Sequence, residues 1–398
     1  MNNKPKIAIL SFSDIHSDGR VLRQIEYLSK RFTLDVIGYG YLPAALQDKA
    51  YMWPIQPPTS FARRSRKTLF LSAGKLFSAL YEAWYWSEME YTAASDLLLQ
   101  SRPDAIHAND WESLPAAVRA SQQTGARIVL DLHEYAPLLR ENRWYWRTFY
   151  KPPIEYFLHK YIPYISASVT VNQPIAERYA KEYDLHPIVV TNAPKCVGQP
   201  PFRATDPGHI RLIHHGNADP DRGLEIMIET LALAHPRFTL HLMLVERGRG
   251  YISKLKALAQ RVAPSRVFFY PPVPPAEIVP RISEFDVGFY LLPPKNFNQL
   301  AASPNKFFDF VMAGLAVCVG PSLEMARLAQ QFGFGLVTPS LEPAQVADCL
   351  NSLSVADLNE MKRKAIQARN VLNADAELAK LIGLYSDLLG SSGSRVEG

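Results

Sequence analysis

The sequence predicts an α/β protein built from two parallel-sheet halves, and three observations carry that expectation. Short apolar runs of strand length alternate with amphipathic stretches along nearly the whole chain, which is the pattern of parallel layers. The alternation occurs twice, and the stretch between the repeats, 196–208 (CVGQPPFRATDPG), is rich in proline and glycine without apolar periodicity, a linker composition. At 398 residues, the chain is also longer than one core ordinarily serves.

Taken in order, KIAILSF reads as a first strand and GRVLRQIEYLSKR as the helix after it. LDVIGYG, DAIHAND and RIVLDLHE read as further strands, each running into a polar or glycine-bearing loop, and SASVTVN and PIVVTNAP complete the first sheet. The second alternation starts with RLIHHGN and a helix from Gly223 to about Ala234. FTLHLMLVE, RVFFYPPV, DVGFYLLP, AVCVGP and GLVTP follow as strands. The expected divisions are a Rossmann-like domain over 1–195, the linker, and a second Rossmann-like domain over 209–375. A closing helix over 376–390 and a tail of disordered composition, 391–398, end the chain. In open α/β sheets, ligands bind at the carboxyl ends of the strands, so two such sheets would define an interdomain cleft.

Composition narrows the classes. Hydrophobic residues at 47% and charged residues at 20% are ordinary for a globular protein. Three widely spaced cysteines, Cys196, Cys318 and Cys349, argue against a disulfide framework or zinc knuckle and fit a reducing compartment. The N-terminal apolar run is too short for a signal peptide, and no uninterrupted apolar stretch reaches membrane-spanning length. A cytoplasmic protein is expected, with peripheral contact to the inner face of the plasma membrane as an added expectation. The net charge of +5 suits an anionic ligand or an acidic surface, while no nucleic-acid reading module is visible.

The most informative stretch is SPNKFFDFVMAGLAV, residues 303–317. Pro304 suits a helix start, whose first turn offers backbone N–H groups and a positive dipole end to an anion. Lys306 adds a full charge there, and Asp309 lies four residues after Asn305 on the same helix face. A cation near a phosphate and a carboxylate near ribose hydroxyls are what a nucleotide requires; the plainer alternative is a solvated i,i+3 pair. His215, Gly216 and Asn217 follow the strand RLIH, and Arg222 and Gly223 precede the next helix. Gly216 permits close backbone approach to a ligand, and Arg222 can grip a diphosphate with its planar fork. An ordinary turn is the alternative.

The run SPNKFFDFVMAGLAVCVG resembles the donor-binding segment of GT-B glycosyltransferases of the family 4-like type, and the Gly216 and Arg222 stretch is similar to that family's Gly-loop and basic-Gly-Leu pair. The resemblance implies that Asp309 holds the ribose and that Arg222 neutralises the leaving diphosphate. Two departures stand out: the acid is Asp, and Ala301 occupies the position where many members carry a first glutamate. In the first half, Asp18, Gly19 and the Arg20-Val21-Leu22 run look like the family's first loop. Asn109 and the His133-Glu134 pair resemble two further strand-end loops, with His133 expected to serve donor sugar and acceptor. The expected catalytic residues are therefore His133, Arg222 and Lys306. The donor set is Gly216, Asn217, Arg222, Asn305, Lys306 and Asp309; the acceptor-side set is Asp18, Gly19, Asn109 and Glu134.

The implied activity is retaining transfer of a sugar from a nucleotide diphosphate to a hydroxyl, in surface polysaccharide or glycolipid assembly. No metal or other cofactor is expected, and no Asp-X-Asp cluster is placed to hold one. Rival readings are a nucleotide-sugar epimerase or hydrolase, and a non-catalytic nucleotide-sugar-binding protein. A nicotinamide dehydrogenase lacks its glycine fingerprint here. For partners, a carbohydrate or lipid-linked glycan is expected as acceptor, and an anionic membrane surface through residues 63–86 and 143–151. The first of those stretches has a basic cluster (Arg63, Arg64, Arg66, Lys67). The helical face expected after it bears Leu69, Ala73, Leu76, Phe77, Leu80 and Trp84. Packing of that face on its own domain is the alternative.

Overall fold

The computed structural model describes residues 4–58, 70–72, 74–196, 198, 202–247 and 250–390. They form two compact units. The first takes the described residues of 1–190, 296–298 and 378–398, and the second those of 191–295 and 299–377. The basic cluster at 63–67, Leu69, Ala73 and the tail 391–398 lie outside the described residues.

The first unit holds a seven-stranded parallel sheet of β1 (Lys6–Asp14), β2 (Thr33–Tyr39), β3 (Tyr51–Pro54), β4 (Ala105–Asn109), β5 (Arg127–Leu132), β6 (Ala167–Thr170) and β7 (Ile188–Val189). Its spatial order is β3-β2-β1-β4-β5-β6-β7. Helices cover both faces of such a sheet, so its strands read as continuous apolar runs; Ile7, Ala8, Ile9 and Leu10 of β1 are all fully buried. β3 escapes the sequence pattern because YMWP is short, half-exposed and ends in proline, which a sheet edge tolerates.

The second unit holds a six-stranded parallel sheet of β8 (Ile210–Ala218), β9 (Phe238–Glu246), β10 (Val267–Tyr270), β11 (Val287–Tyr290), β12 (Ala316–Val319) and β13 (Gly335–Val337). The order β10-β9-β8-β11-β12-β13 winds outward in both directions from β8 and β11, which is the doubly wound arrangement. The switch between windings, where ligands bind in such sheets, falls between β8 and β11; in the first unit it falls between β1 and β4.

One expectation needs correction. The described residues of 69–86 do not form a single amphipathic helix: the helix runs Ala79–Ser87, and a turn at residues 74–76 precedes it. A Cβ at Gly74 would collide with the Tyr81 ring, so glycine lets the turn close on the helix. The two ends of the expected face then part company. Trp84 is 1% exposed inside the unit, whereas Leu76 and Phe77 are on the surface. Among the described residues, no helix is long and apolar enough to cross a membrane.

Candidate functional site

In the second unit, the end of β8 and the helix Asn305–Met312 bring the sequence-expected donor residues together. That helix lies close on β11, because a Cβ on Gly288 would occupy the space of the Phe310 ring. Pro304 is its N-cap rather than its first helical residue, and no side chain caps the turn. Asn305 is exposed, Lys306 is buried, and Asp309 is partly buried one turn on.

Lys306 Nζ lies 3.3 Å from His214 Nε2 and 4.9 Å from the centre of the Tyr290 ring. Arg222 reaches the same tyrosine from the other end, its Nη1 donating to the hydroxyl at 3.0 Å. Two cations thus meet on one buried aromatic at the end of β11, and neither is ion-paired with a carboxylate among the described residues. Gly216, in β8, has φ +116, and a Cβ there would stand 3.0 Å from Lys306 Nζ. Only glycine combines that backbone with room for the lysine head. Asn217 follows it at the end of the strand, partly buried.

Burial and positive charge set the electrostatics of this group. Burial first, then the Arg222 charge, pushes Lys306 down to about 7, and Asp309 opposes this only in part. Burial pushes Asp309 up to about 7, with Lys306 pulling the other way. His215 is held neutral, at about 3, by burial and by Lys306. Its Nε2 lies 3.4 Å from Asp309 Oδ2 without hydrogen-bond alignment, leaving a buried nitrogen with no hydrogen-bond partner. Such an orphan calls for a ligand or water. Ala301 is fully buried, so no carboxylate acts from that position.

In the first unit, the centre is Asp131 at the end of β5, which the sequence did not single out. Arg20 grips it with two bonds, Nε to Oδ2 at 2.8 Å and Nη2 to Oδ1 at 2.7 Å. Gln24 donates to Oδ2 at 2.6 Å, and His107 Nε2 stands 3.3 Å away. The other nitrogen of His107 meets the Tyr385 hydroxyl at 2.7 Å, which ties the C-terminal helix Ala374–Gly390 to β4 through that residue.

His133 stands beside this buried group. Its Nδ1 is 3.2 Å from Asp110 Oδ2, and its Nε2 is 3.1 Å from Asn109 Oδ1 and 3.6 Å from Asp131 Oδ2. Both ring nitrogens face acceptors, which favours imidazolium. Burial opposes that charge, but the Asp110 and Asp131 carboxylates outweigh it and raise the pKa. Asp110 adopts φ +60, a costly backbone for a non-glycine residue, and its carboxylate also accepts from the His133 backbone N–H at 3.1 Å. Asn109 is buried and shared between Gln24 and His133.

Asp18 is the N-cap of the helix Gly19–Leu28, accepting from the Arg20 and Val21 backbones, and it also accepts from Ser13 Oγ at 2.7 Å. A Cβ at Gly19 would meet nothing nearer than 3.7 Å. Glu134 is exposed, and its carbonyl accepts from the Tyr179 hydroxyl at 3.0 Å. Tyr290, His214, Asp131 and Asp110 were missed by sequence reading. A polar residue at the end of an apolar strand was the signal available for Asp131, and the doubled histidine for His214.

No protein-family model matches the sequence, and no curated protein matches it. Solved structures do match. HepE of Anabaena, in a crystal structure with UDP, superposes with TM-score 0.69 and 15% identity, over 96% of this chain and 100% of its own. A glycosyltransferase of Rickettsia africae ESF-5 gives 0.66 and 12% over 97% and 99%; sucrose-phosphate synthase of Thermosynechococcus elongatus gives 0.66 and 15% over 97% and 100%. The chain has the fold of these GT-B glycosyltransferases, with two Rossmann-like α/β units.

Proposed function

We propose that the protein is a glycosyltransferase that moves a sugar from a nucleoside diphosphate to a hydroxyl acceptor, with retention at the anomeric carbon. The observation that carries this reading is the meeting of Lys306 and Arg222 on Tyr290 with no carboxylate partner among the described residues. Two basic groups without a carboxylate ion pair, beside a glycine with φ +116, suit a diphosphate, and Asp309 suits the ribose hydroxyls. Solved structures of the same fold include HepE with UDP and with UDP-glucose, which supports a nucleotide-sugar donor.

In this proposal the bond from the anomeric carbon to the phosphate oxygen breaks, and the bond to the acceptor oxygen forms. The acceptor proton passes to the departing phosphate. Arg222 and Lys306 stabilise the charge that builds there, which is the largest single contribution in most such reactions. They supply the positive charge, so the proposal calls on no metal. Asn305, Gly216 and Asn217 complete the donor set through their positions. His133, held by Asp110 and Asn109, is assigned to the sugar and acceptor, with Asp18, Gly19, Asn109 and Glu134 on the acceptor side.

The acceptor assigned is a carbohydrate or lipid-linked glycan, in assembly of bacterial surface polysaccharide or glycolipid at the inner face of the plasma membrane. The test is acceptor-dependent release of nucleoside diphosphate from UDP-, GDP- and ADP-sugars. Release that needs an acceptor, and that drops with Arg222→Ala, supports transfer. Free sugar released without an acceptor would mark a hydrolase, and no turnover with any donor would mark a binding protein; either contradicts the proposal.

A further inference from the structure

Two surface turns of the first unit place large apolar side chains in water. Leu76 is 83% exposed and Phe77 68%, in the turn before the helix Ala79–Ser87. Trp144 is 66% exposed, at the start of the helical stretch that continues through Trp146–Tyr150. Large rings at such exposure mark a contact surface when they cluster. These do cluster: Lys75 Nζ sits 5.2 Å from the centre of the Phe149 ring, and Phe149 packs edge-on to Trp144 at 6.1 Å. The Lys75–Phe77 segment and the helical segment Trp144–Phe149 therefore share one face.

The supports beneath are rigid. Trp146 is buried, stacks on Tyr150 at 5.1 Å and donates from its indole N–H to the Pro137 carbonyl. On the other turn, Tyr81, Trp84 and Tyr85 are buried, with Tyr85 stacked on Tyr91 at 4.0 Å. Each turn is pinned by its inner aromatics, so the outer ones stand out because the fold holds them there. That division answers the sequence expectation: the inner half of the 69–86 stretch packs on its own unit, and the outer tip does not.

The charge beside the tips is mainly positive. Lys75, Arg143 and Arg147 flank them, and none is ion-paired with a carboxylate among the described residues. Of the nearby acids, Glu82 is ion-paired with Lys160 and Glu155 with Lys151, while Glu141 accepts from the Phe297 backbone N–H. Exposed Leu, Phe and Trp ringed by unpaired cations complement an anionic bilayer, which takes apolar tips below its phosphates and cations at them. We infer that Leu76, Phe77 and Trp144 form an insertion wedge, with Lys75, Arg143 and Arg147 as its headgroup contacts, that docks the first unit on an anionic lipid bilayer. None of these is a donor residue, so the inference goes beyond the proposed transfer and can fail separately from it.

The test uses the full chain and vesicles of equal parts phosphatidylcholine and phosphatidylglycerol. The protein sediments with these at low salt and is released by high salt, and it sediments less with phosphatidylcholine alone. Leu76→Ser combined with Phe77→Ser, and Trp144→Ser separately, each weaken binding by about tenfold, while Lys306→Ala binds like the wild type. Vesicles with brominated acyl chains quench wild-type tryptophan fluorescence more than that of Trp144→Phe, a reading that holds even if the serine variants fold poorly. Absent sedimentation at low salt, or equal quenching in Trp144→Phe and wild type, overturns the inference.

Discussion

Lys306 Nζ stands 3.3 Å from His214 Nε2, and the Nδ1 of that histidine lies 3.0 Å from the Phe289 carbonyl oxygen. A carbonyl only accepts, so the hydrogen-bond network assigns the proton to Nδ1 and leaves the Nε2 lone pair facing the lysine. Burial, with Lys306 adding to it, keeps His214 well below its usual pKa, so this neutral tautomer persists at physiological pH. His214 is thus a positioning residue for the cation proposed to hold the phosphate. Its replacement by Phe removes the acceptor and leaves the Phe289 carbonyl without this donor. Nucleoside diphosphate affinity is expected to fall roughly tenfold or more, with a smaller loss for His214→Gln, which keeps an acceptor. Titration calorimetry of the two variants measures the difference.

Arg222→Ala and Lys306→Ala each remove a charge that the proposed reaction sets against the leaving phosphate. Loss of one such group commonly costs about 10²–10³ in turnover. Both variants should keep the wild-type circular dichroism spectrum, since neither residue holds a carboxylate in place. Steady-state turnover with a saturating donor gives the comparison.

The lowered pKa of Lys306 fixes a pH dependence. The folded, ligand-free protein releases this proton at about 7, and the unfolded chain releases it near the ordinary lysine value of about 10.4. Between those limits the unfolded state binds more protons, so this group makes the protein more stable as pH rises from 7 toward 10. Asp309, raised to about 7, acts oppositely below that pH: stability from it declines as pH rises from about 4 to 7. The proposed diphosphate site uses the charged lysine, so affinity should weaken above pH 7, and binding at pH 8 should take up a proton. Lys306→Met loses both effects. Calorimetry in buffers of different ionisation enthalpy counts the proton.

Asp131 is fully buried and paired bidentately with Arg20. Burial opposes its charge, but Arg20, His133 and His107 more than offset it and hold its pKa well below the usual range. The stability it contributes is present above the unfolded carboxylate value of about 3.9 and disappears as pH falls toward the folded pKa. Asp131→Ala strands a buried guanidinium and should destabilise the first unit by about 3–5 kcal/mol at neutral pH. Urea unfolding of the variant measures it. The same change should perturb His133, which loses one of its two carboxylates, and shift the pH profile of transfer to lower pH.

Much of this molecule was legible in its sequence because parallel strands buried on both faces leave uninterrupted apolar runs. Twelve strand segments stand out as short runs rich in apolar residues; YMWP does not, being short and at an edge. The residues proposed for the donor stand out in the sequence because one helix carries Asn305, Lys306 and Asp309. The groups that orient them come from elsewhere in the chain. Tyr290 ends a different strand and is joined to Arg222 across 68 positions, and Asp131 gathers Arg20 from 111 positions away. Periodicity carries no record of such pairings. The apolar residues of 69–86 fit a helical period, while the turn at Gly74 depends on a contact with Tyr81 that a period does not show.

The most direct test of the donor site is thermal stability against a panel of UDP, GDP and ADP and their sugars. A ligand at a hundred times its Kd adds about 2.7 kcal/mol, enough to move Tm by several degrees. One nucleotide series should raise the Tm of the wild-type protein, and the shift should vanish in Asp309→Ala and in Lys306→Ala. No shift with any member, or an equal shift in those variants, would contradict a donor site built on Lys306, Arg222 and Asp309.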